Sequence, residues 1–184
     1  MAKVLVVDDD EMTRSVLIRV LRIEGHDVSA AADGNEALEK IAAGPPDLIL
    51  LDVVMPGIDG IEVCRRLKAD IATEPIPVLI LSGMTDRDSR LRGITAGAND
   101  YLTKPVDRED LVLRVRNALR MKALHDQLLA RNRELLAMQE LRENLTQMLI
   151  ADNLRIAELA AARDRLRAAA EAPAAGQERE PPHA

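Results

Sequence analysis

Leu48 to Gly57 reads LILLDVVMPG. Four apolar residues, Leu48 to Leu51, deliver one carboxylate, Asp52, to the end of the run, and Met55-Pro56-Gly57 then turns the backbone away. A run this short and this apolar reads as a strand buried on both faces, the mark of a parallel sheet covered by helices. Ligand sites in such sheets lie at the carboxyl ends of the strands. Asp52 therefore stands where chemistry is expected, although a carboxylate in that place also serves as a helix cap or turn former.

The flanking sequence repeats the pattern. Upstream, Lys3 to Val7 is a second apolar run that ends in Asp8, Asp9 and Asp10 and passes into a helical pattern carried by Met12, Val16, Leu17, Val20 and Leu21. Gly25 closes that helix, Asp27 to Ala31 is a weaker strand, and Asp33-Gly34-Asn35 opens a helix through Ala43. Downstream, a helix is expected from about Asp59 to Ala69, with Ile61, Cys64 and Leu67 facing inward, then a strand over Val78 to Leu81. A helix over Asp86 to Ala96 and a strand over Asn99 to Thr103, ending in Lys104-Pro105, complete the series. Five strands alternating with helices predict right-handed crossovers and a doubly wound α/β fold.

From Asp107 to Ala170 there is neither Gly nor Pro. The stretch reads as one helix of roughly 95 Å at 1.5 Å per residue, or as two folded back in a hairpin. With Met121 as heptad position a, the a positions are Met121, Leu128, Leu135, Arg142, Leu149, Ile156 and Arg163. The d positions are Leu124, Arg131, Met138, Leu145, Asp152, Leu159 and Leu166. Their mostly apolar character predicts a parallel two-stranded coiled coil, weakened by the four charges. Residues 171–184 carry three Pro and little apolar content, so disorder is expected there.

Composition narrows the function classes. Of the 184 residues 47% are hydrophobic, enough for a core, and a net charge of −6 without a basic cluster argues against nucleic acid. The one cysteine, Cys64, permits no disulfide framework and reads as a buried structural thiol. No run approaches the ~18 apolar residues of a membrane span and no leader pattern is visible, so a cytoplasmic protein is expected. Tyr101 is the only aromatic residue.

Four strand ends send polar groups to one edge of the expected sheet: Asp8 and Asp9, Asp52, Ser82, and Lys104. Clustered carboxylates repel one another and need a cation, and hard oxygen ligands with room for water suit Mg²⁺. An aspartate flanked by a metal, a lysine and a hydroxyl can attack phosphorus, because the cations neutralise the phosphoryl oxygens in flight. The expected product is an acyl phosphate on Asp52. Asp10 and Glu11 read instead as the start of the first helix, as do Asp59, Asp86 and Asp107 at theirs.

Asp8-Asp9 after VLVV, Asp52 in DVVMPG, Ser82 in ILSG and Lys104-Pro105 in DYLTKP together resemble the receiver domain of two-component response regulators, of the chemotaxis-regulator type. Each motif is weak alone and the ordered set is specific. The resemblance implies a flavodoxin-like sheet of order 2-1-3-4-5. It makes Asp52 the phosphoacceptor, Asp9 a direct Mg²⁺ ligand and Asp8 one acting through water, with the Val54 backbone carbonyl completing the metal site. Ser82 and Tyr101 become switch residues, Lys104 the partner of a phosphoryl oxygen, and Lys104-Pro105 a cis peptide. It also implies a dimer face with the intersubunit ion pairs Arg90 with Asp110 and Asp100 with Arg114. Val54 and Met84, which flank the site, offer no group to orient an attacking water, so a long-lived phosphate is expected.

The stretch LRENLTQMLIADNLRIAEL from Leu141 resembles the entry to a histidine-kinase dimerisation helix, with Ala151 in place of the phosphorylatable histidine. The chain thus divides into a receiver (1–120), a dimerisation and docking helix continuous with its last helix (121–170) and a tail (171–184). It is expected to be a response regulator without a DNA-binding or catalytic output domain, and not an enzyme beyond its own Mg²⁺-dependent phosphorylation and dephosphorylation. A sensor histidine kinase or phosphotransfer protein would phosphorylate it, and it would signal as a homodimer to a further protein, without membrane or nucleic acid. A constitutive scaffold, a regulatory fragment of a longer hybrid kinase, and an aspartate-nucleophile phosphatase built on Asp8-x-Asp10 remain as alternatives.

Overall fold

The LILLD run forms a strand, Leu48–Asp52, in which all five residues are buried. The computed structural model describes residues 1–83 and 87–171, leaving aside the side chains of 87–90 and 171. Its elements run β1 (Lys3–Val7), α1 (Glu11–Ile23), β2 (Asp27–Ala31), α2 (Gly34–Ala43), β3 (Leu48–Asp52), α3 (Gly60–Ala69), β4 (Val78–Gly83), α4 (Arg87–Thr95), β5 (Asp100–Lys104) and α5 (Arg108–Glu171). The strands pair in parallel in the order β2-β1-β3-β4-β5. This is the flavodoxin-like arrangement expected from the sequence.

Strand residues alternate between two apolar layers, as a period of two requires. Leu5, Val7, Ile49, Leu51, Val78 and Ile80 pack on one side with Ala37 and Ile41 of α2 and with Val63, Cys64 and Leu67 of α3. Val4, Val6, Leu48, Leu50, Leu79 and Leu81 pack on the other with Leu17 and Leu21 of α1 and with Leu111 and Val115 of α5. Burial raises the Cys64 thiol to about 11, in keeping with a structural role.

The helix starts are capped as the acidic residues suggest. Asp10 accepts hydrogen bonds from the Met12 and Thr13 amides, Asp33 from those of Asn35 and Glu36, and Asp59 from that of Glu62. Asp107 accepts from the amides of Glu109 and Asp110. Asp86 and Met84 lie outside the described residues. β4 runs two residues past the expected Leu81, because Ser82 and Gly83 continue to pair with Thr103 and Lys104 of β5. The Lys104-Pro105 peptide is cis.

The chain falls into two units, Met1–Leu129 and Ala130–Ala184. The first contains the sheet. In the second, the helix runs without a turn to Glu171, so the hairpin alternative is not realised among the described residues, and every residue from Ala130 to Ala170 is exposed. The expected tail lies outside the described residues from 172 onward. Among the described residues no helix is long and apolar enough to cross a membrane.

The return of the chain from β3 to α3 depends on a missing side chain. A Cβ on Gly60 would lie 1.9 Å from the Asp52 carbonyl oxygen, while the Gly60 amide donates to the Val53 carbonyl oxygen at 3.0 Å. Gly60→Ala must displace backbone rather than a flexible side chain, and is expected to destabilise the fold by roughly 3 kcal/mol. Urea unfolding followed by circular dichroism measures this, and an unchanged midpoint would contradict the close approach.

Candidate functional site

The parallel register brings four strand ends to one edge, and the residues after the apolar runs converge there. Asp8 follows β1 and is fully buried; Asp52 and Lys104 close β3 and β5, and Ser82 stands one residue before the end of β4. Asp52 is 5% exposed and Ser82 2%, so carboxylate and hydroxyl are placed where only strong local partners offset the lost hydration. Lys104 Nζ is that partner for both acids, at 2.7 Å from Asp8 Oδ2 and 2.9 Å from Asp52 Oδ1. The Asp8 Oδ2 contact is an ion pair without the alignment of a hydrogen bond.

The acidic loop after β1 is braced from two directions. Asp8 Oδ1 accepts from the Asp10 amide at 3.0 Å, and Arg14 Nη1 donates to the Asp8 carbonyl oxygen at 2.6 Å. Arg14 was not evident as part of the site, since its contact is with backbone and carries no side-chain motif. Asp10 turns away to cap α1, and the hydrogen bonds from Thr13 hold its pKa below the usual range.

Carboxylate oxygens of Asp8, Asp9 and Asp52 lie within 4.8 Å of one another. Burial raises the Asp52 pKa, against the opposing influence of Lys104, and the neighbouring Asp8 charge pushes it further up. Burial disfavours the Lys104 charge, but Asp8 and Asp52 outweigh it and its pKa is raised. Three carboxylates face one ammonium, so the cluster still lacks positive charge. Two buried hard oxygen donors and one exposed donor at the mouth fit an octahedral cation that keeps several waters, and Mg²⁺ meets that description. The Ser82 hydroxyl is buried with no hydrogen-bond partner among the described residues, which leaves it able to bond a further polar group. Val54, two residues beyond Asp52, is 72% exposed.

Tyr101 lies on β5, two strands from Asp52 on β3, half-buried against the apolar layer of α2 and α3. The Arg114 guanidinium sits 5.6 Å from the centre of its ring. Arg114 also reaches both Asp100 oxygens at 2.7 Å through Nη1 and Asp110 Oδ1 at 2.7 Å through Nε. The structure thus joins Asp100, Asp110 and Arg114 within one chain. The Arg90 side chain lies outside the described residues. That Arg114 also covers Tyr101 was not legible in the sequence, because the contact joins β5 to α5 across twelve intervening positions of no motif.

The family model of the response regulator receiver domain matches residues 4–116. Response regulator PleD of Caulobacter vibrioides is 46% identical over 127 residues, covering 69% of this chain and 28% of PleD. Response regulator MprA of Mycobacterium ulcerans is 45% identical over 124 residues, covering 67% of this chain and 53% of MprA. The match therefore spans between about a quarter and about half of the length of these curated relatives. A crystal structure of a putative response regulator from Chloroflexus aurantiacus superposes with a TM-score of 0.63 at 42% identity, covering 64% of this chain and 97% of that one.

The charge imbalance at the strand ends has a measurable consequence. Since the folded state raises the Asp52 pKa, the ionised carboxylate costs stability, and that cost is present at neutral pH and disappears as pH falls through the raised value. Asp52→Asn is expected to melt at a higher temperature than the wild type at pH 7 in metal-free buffer, and the difference should shrink on adding Mg²⁺. Calorimetry of both proteins with and without the metal tests this; a lower melting temperature for the variant without metal would contradict it.

Proposed function

This chain belongs to the response regulator receiver domain family, and from that membership we propose that it is a signalling switch phosphorylated on Asp52 by a histidine kinase or phosphotransfer protein. The observation that carries the reading is the meeting of Asp8, Asp9, Asp52, Lys104 and an unsatisfied Ser82 hydroxyl at one sheet edge. In the transfer, an Asp52 carboxylate oxygen forms a bond to phosphorus as the bond from phosphorus to the donor histidine nitrogen breaks. Asp8, Asp9, Asp52 and the Val54 carbonyl would hold Mg²⁺, which when bound supplies positive charge to the phosphoryl oxygens. Lys104 keeps its hold on Asp8 and turns its remaining protons from Asp52 to a phosphoryl oxygen. Ser82 gains in that group the partner it lacks.

The change at Ser82 reaches Tyr101 through the paired ends of β4 and β5. Tyr101 in turn touches Arg114, whose two acids anchor it to β5 and α5. Phosphate on Asp52 is thereby read out at the first part of α5. The exposed apolar residues further along that helix, Leu135 to Leu166 among them, fit self-association with a second copy. The output is contact with another protein in the cytoplasm rather than with nucleic acid, which suits a net charge of −6. The rival phosphatase reading asks Asp8 to be a nucleophile and Asp10 an acid. Asp8 is fully buried beneath Lys104 and Asp10 is spent on the α1 cap, so neither suits that role.

Incubation with Mg²⁺ and acetyl phosphate, followed by reductive trapping and peptide mass spectrometry, is expected to place one acyl phosphate on Asp52 and none on Asp52→Asn. Label on Asp8 would favour the phosphatase, and no label would leave a scaffold. Val54→Asn, which supplies a water-orienting amide beside the acceptor, is expected to shorten the lifetime of the phosphorylated protein several-fold, and decay of the wild type within seconds would contradict the long-lived state.

A further inference from the structure

Between Leu135 and Leu159 the heptad a and d positions of α5 are apolar except at Arg142, an a position, and Asp152, a d position. The apolar side chains of this stripe stand in water: Leu135 is 52% exposed, Met138 67%, Leu145 51%, Leu149 63%, Ile156 64% and Leu159 64%. An uncovered stripe of this kind needs a partner helix. The two charges within it are equally unmatched. Neither Arg142 nor Asp152 has an ion-pair partner among the described residues; Arg133, Glu140, Glu143, Arg155 and Glu158 share that state but stand off the a and d stripe, where water can solvate them.

A second copy laid parallel and in register would set Arg142 against Arg142 and Asp152 against Asp152. Of the residues bordering those layers, Leu141, Thr146, Met148 and Asn153 carry no charge, and Arg155, three residues beyond Asp152, makes no ion pair with it among the described residues. An antiparallel copy related by a twofold axis at Gln147 pairs each a position with a d position of its mate. Leu135 then meets Leu159 of the second copy, Met138 meets Ile156, Leu145 meets Leu149, and Arg142 meets Asp152, each contact occurring twice. Every apolar side chain faces an apolar one and every buried charge faces its opposite. Arg131 and Arg163 face each other just outside this span, where each already holds an acid on its own helix and its long stem lets the charge reach solvent.

We propose that a second copy of this chain docks antiparallel along Leu135 to Leu159, with its register set by the Arg142–Asp152 pairs, in place of the parallel arrangement that the heptads alone suggest. The proposal rests on the reading of this helix as a self-association surface. Such pairs contribute little net stability but discriminate strongly between registers, because leaving one charge unpaired in a packed layer costs far more than the pair yields.

Two measurements on the full-length protein test it. When Met138→Cys and Ile156→Cys proteins are mixed and oxidised, a disulfide between positions 138 and 156 is expected, with none between two copies of 138; buried Cys64 is withheld from the reaction. In sedimentation equilibrium, Arg142→Asp should raise the dimer dissociation constant by about tenfold or more, and adding Asp152→Arg to the same chain should restore it. A 138–138 disulfide, together with Arg142→Asp dimerising like the wild type, overturns the antiparallel register and leaves self-association standing. A protein that sediments as a monomer at every concentration overturns self-association itself, and the stripe then belongs to a different chain.

Discussion

The Lys104 ammonium, shared between Asp8 and Asp52, is the contact on which the rest of the first unit turns. Without a cation between them, two carboxylates this deeply buried could not both be ionised, and the ends of β1 and β3 would be forced apart or neutralised. The lysine reaches them only because β5 ends at the same edge as β3, two strands away through β4, and β1, one strand further. Parallel pairing through Ser82↔Thr103 and Gly83↔Lys104 keeps β5 in step with β4 to its last residue. The charge balance of the site is thus a property of the sheet as a whole.

Much of this was readable from the chain. Runs such as VLVV and LILL announce strands buried on both faces, and the polar residue after each run must emerge at the carboxyl edge once the sheet is parallel. Asp10, Asp33 and Asp59 were legible as caps because capping is local and depends on residues two or three positions away. What escaped the sequence depends on distant partners. The extension of β4 through Gly83 is a product of pairing with β5, and neither Ser82 nor Gly83 favours a strand by itself. Arg14 acts on a backbone oxygen, and Gly60 through the atom it lacks, so neither leaves a motif.

The two units illustrate opposite uses of the same apolar residues. In the first, leucines and valines are covered by helices and fix a register that a one-residue slip would destroy. In the second, leucines at a and d positions remain exposed in the isolated chain, and only the charges among them can tell one docking mode from another. Arg131 and Arg163 are answered within their own helix, while Arg142 and Asp152 are left for something outside it. Specificity in the first unit comes from shape and in the second from electrostatics.

The chain contains no Trp, no Phe and one Tyr. Its near-ultraviolet absorption and intrinsic fluorescence therefore arise from a single ring, and that ring is held beneath Arg114 on the same strand, β5, that carries Lys104. No indole is present to drain the excited state or to blur the signal with an average over sites. The molecule carries its own optical probe between its acidic cluster and the first part of its long helix, and needs no added label to be watched there.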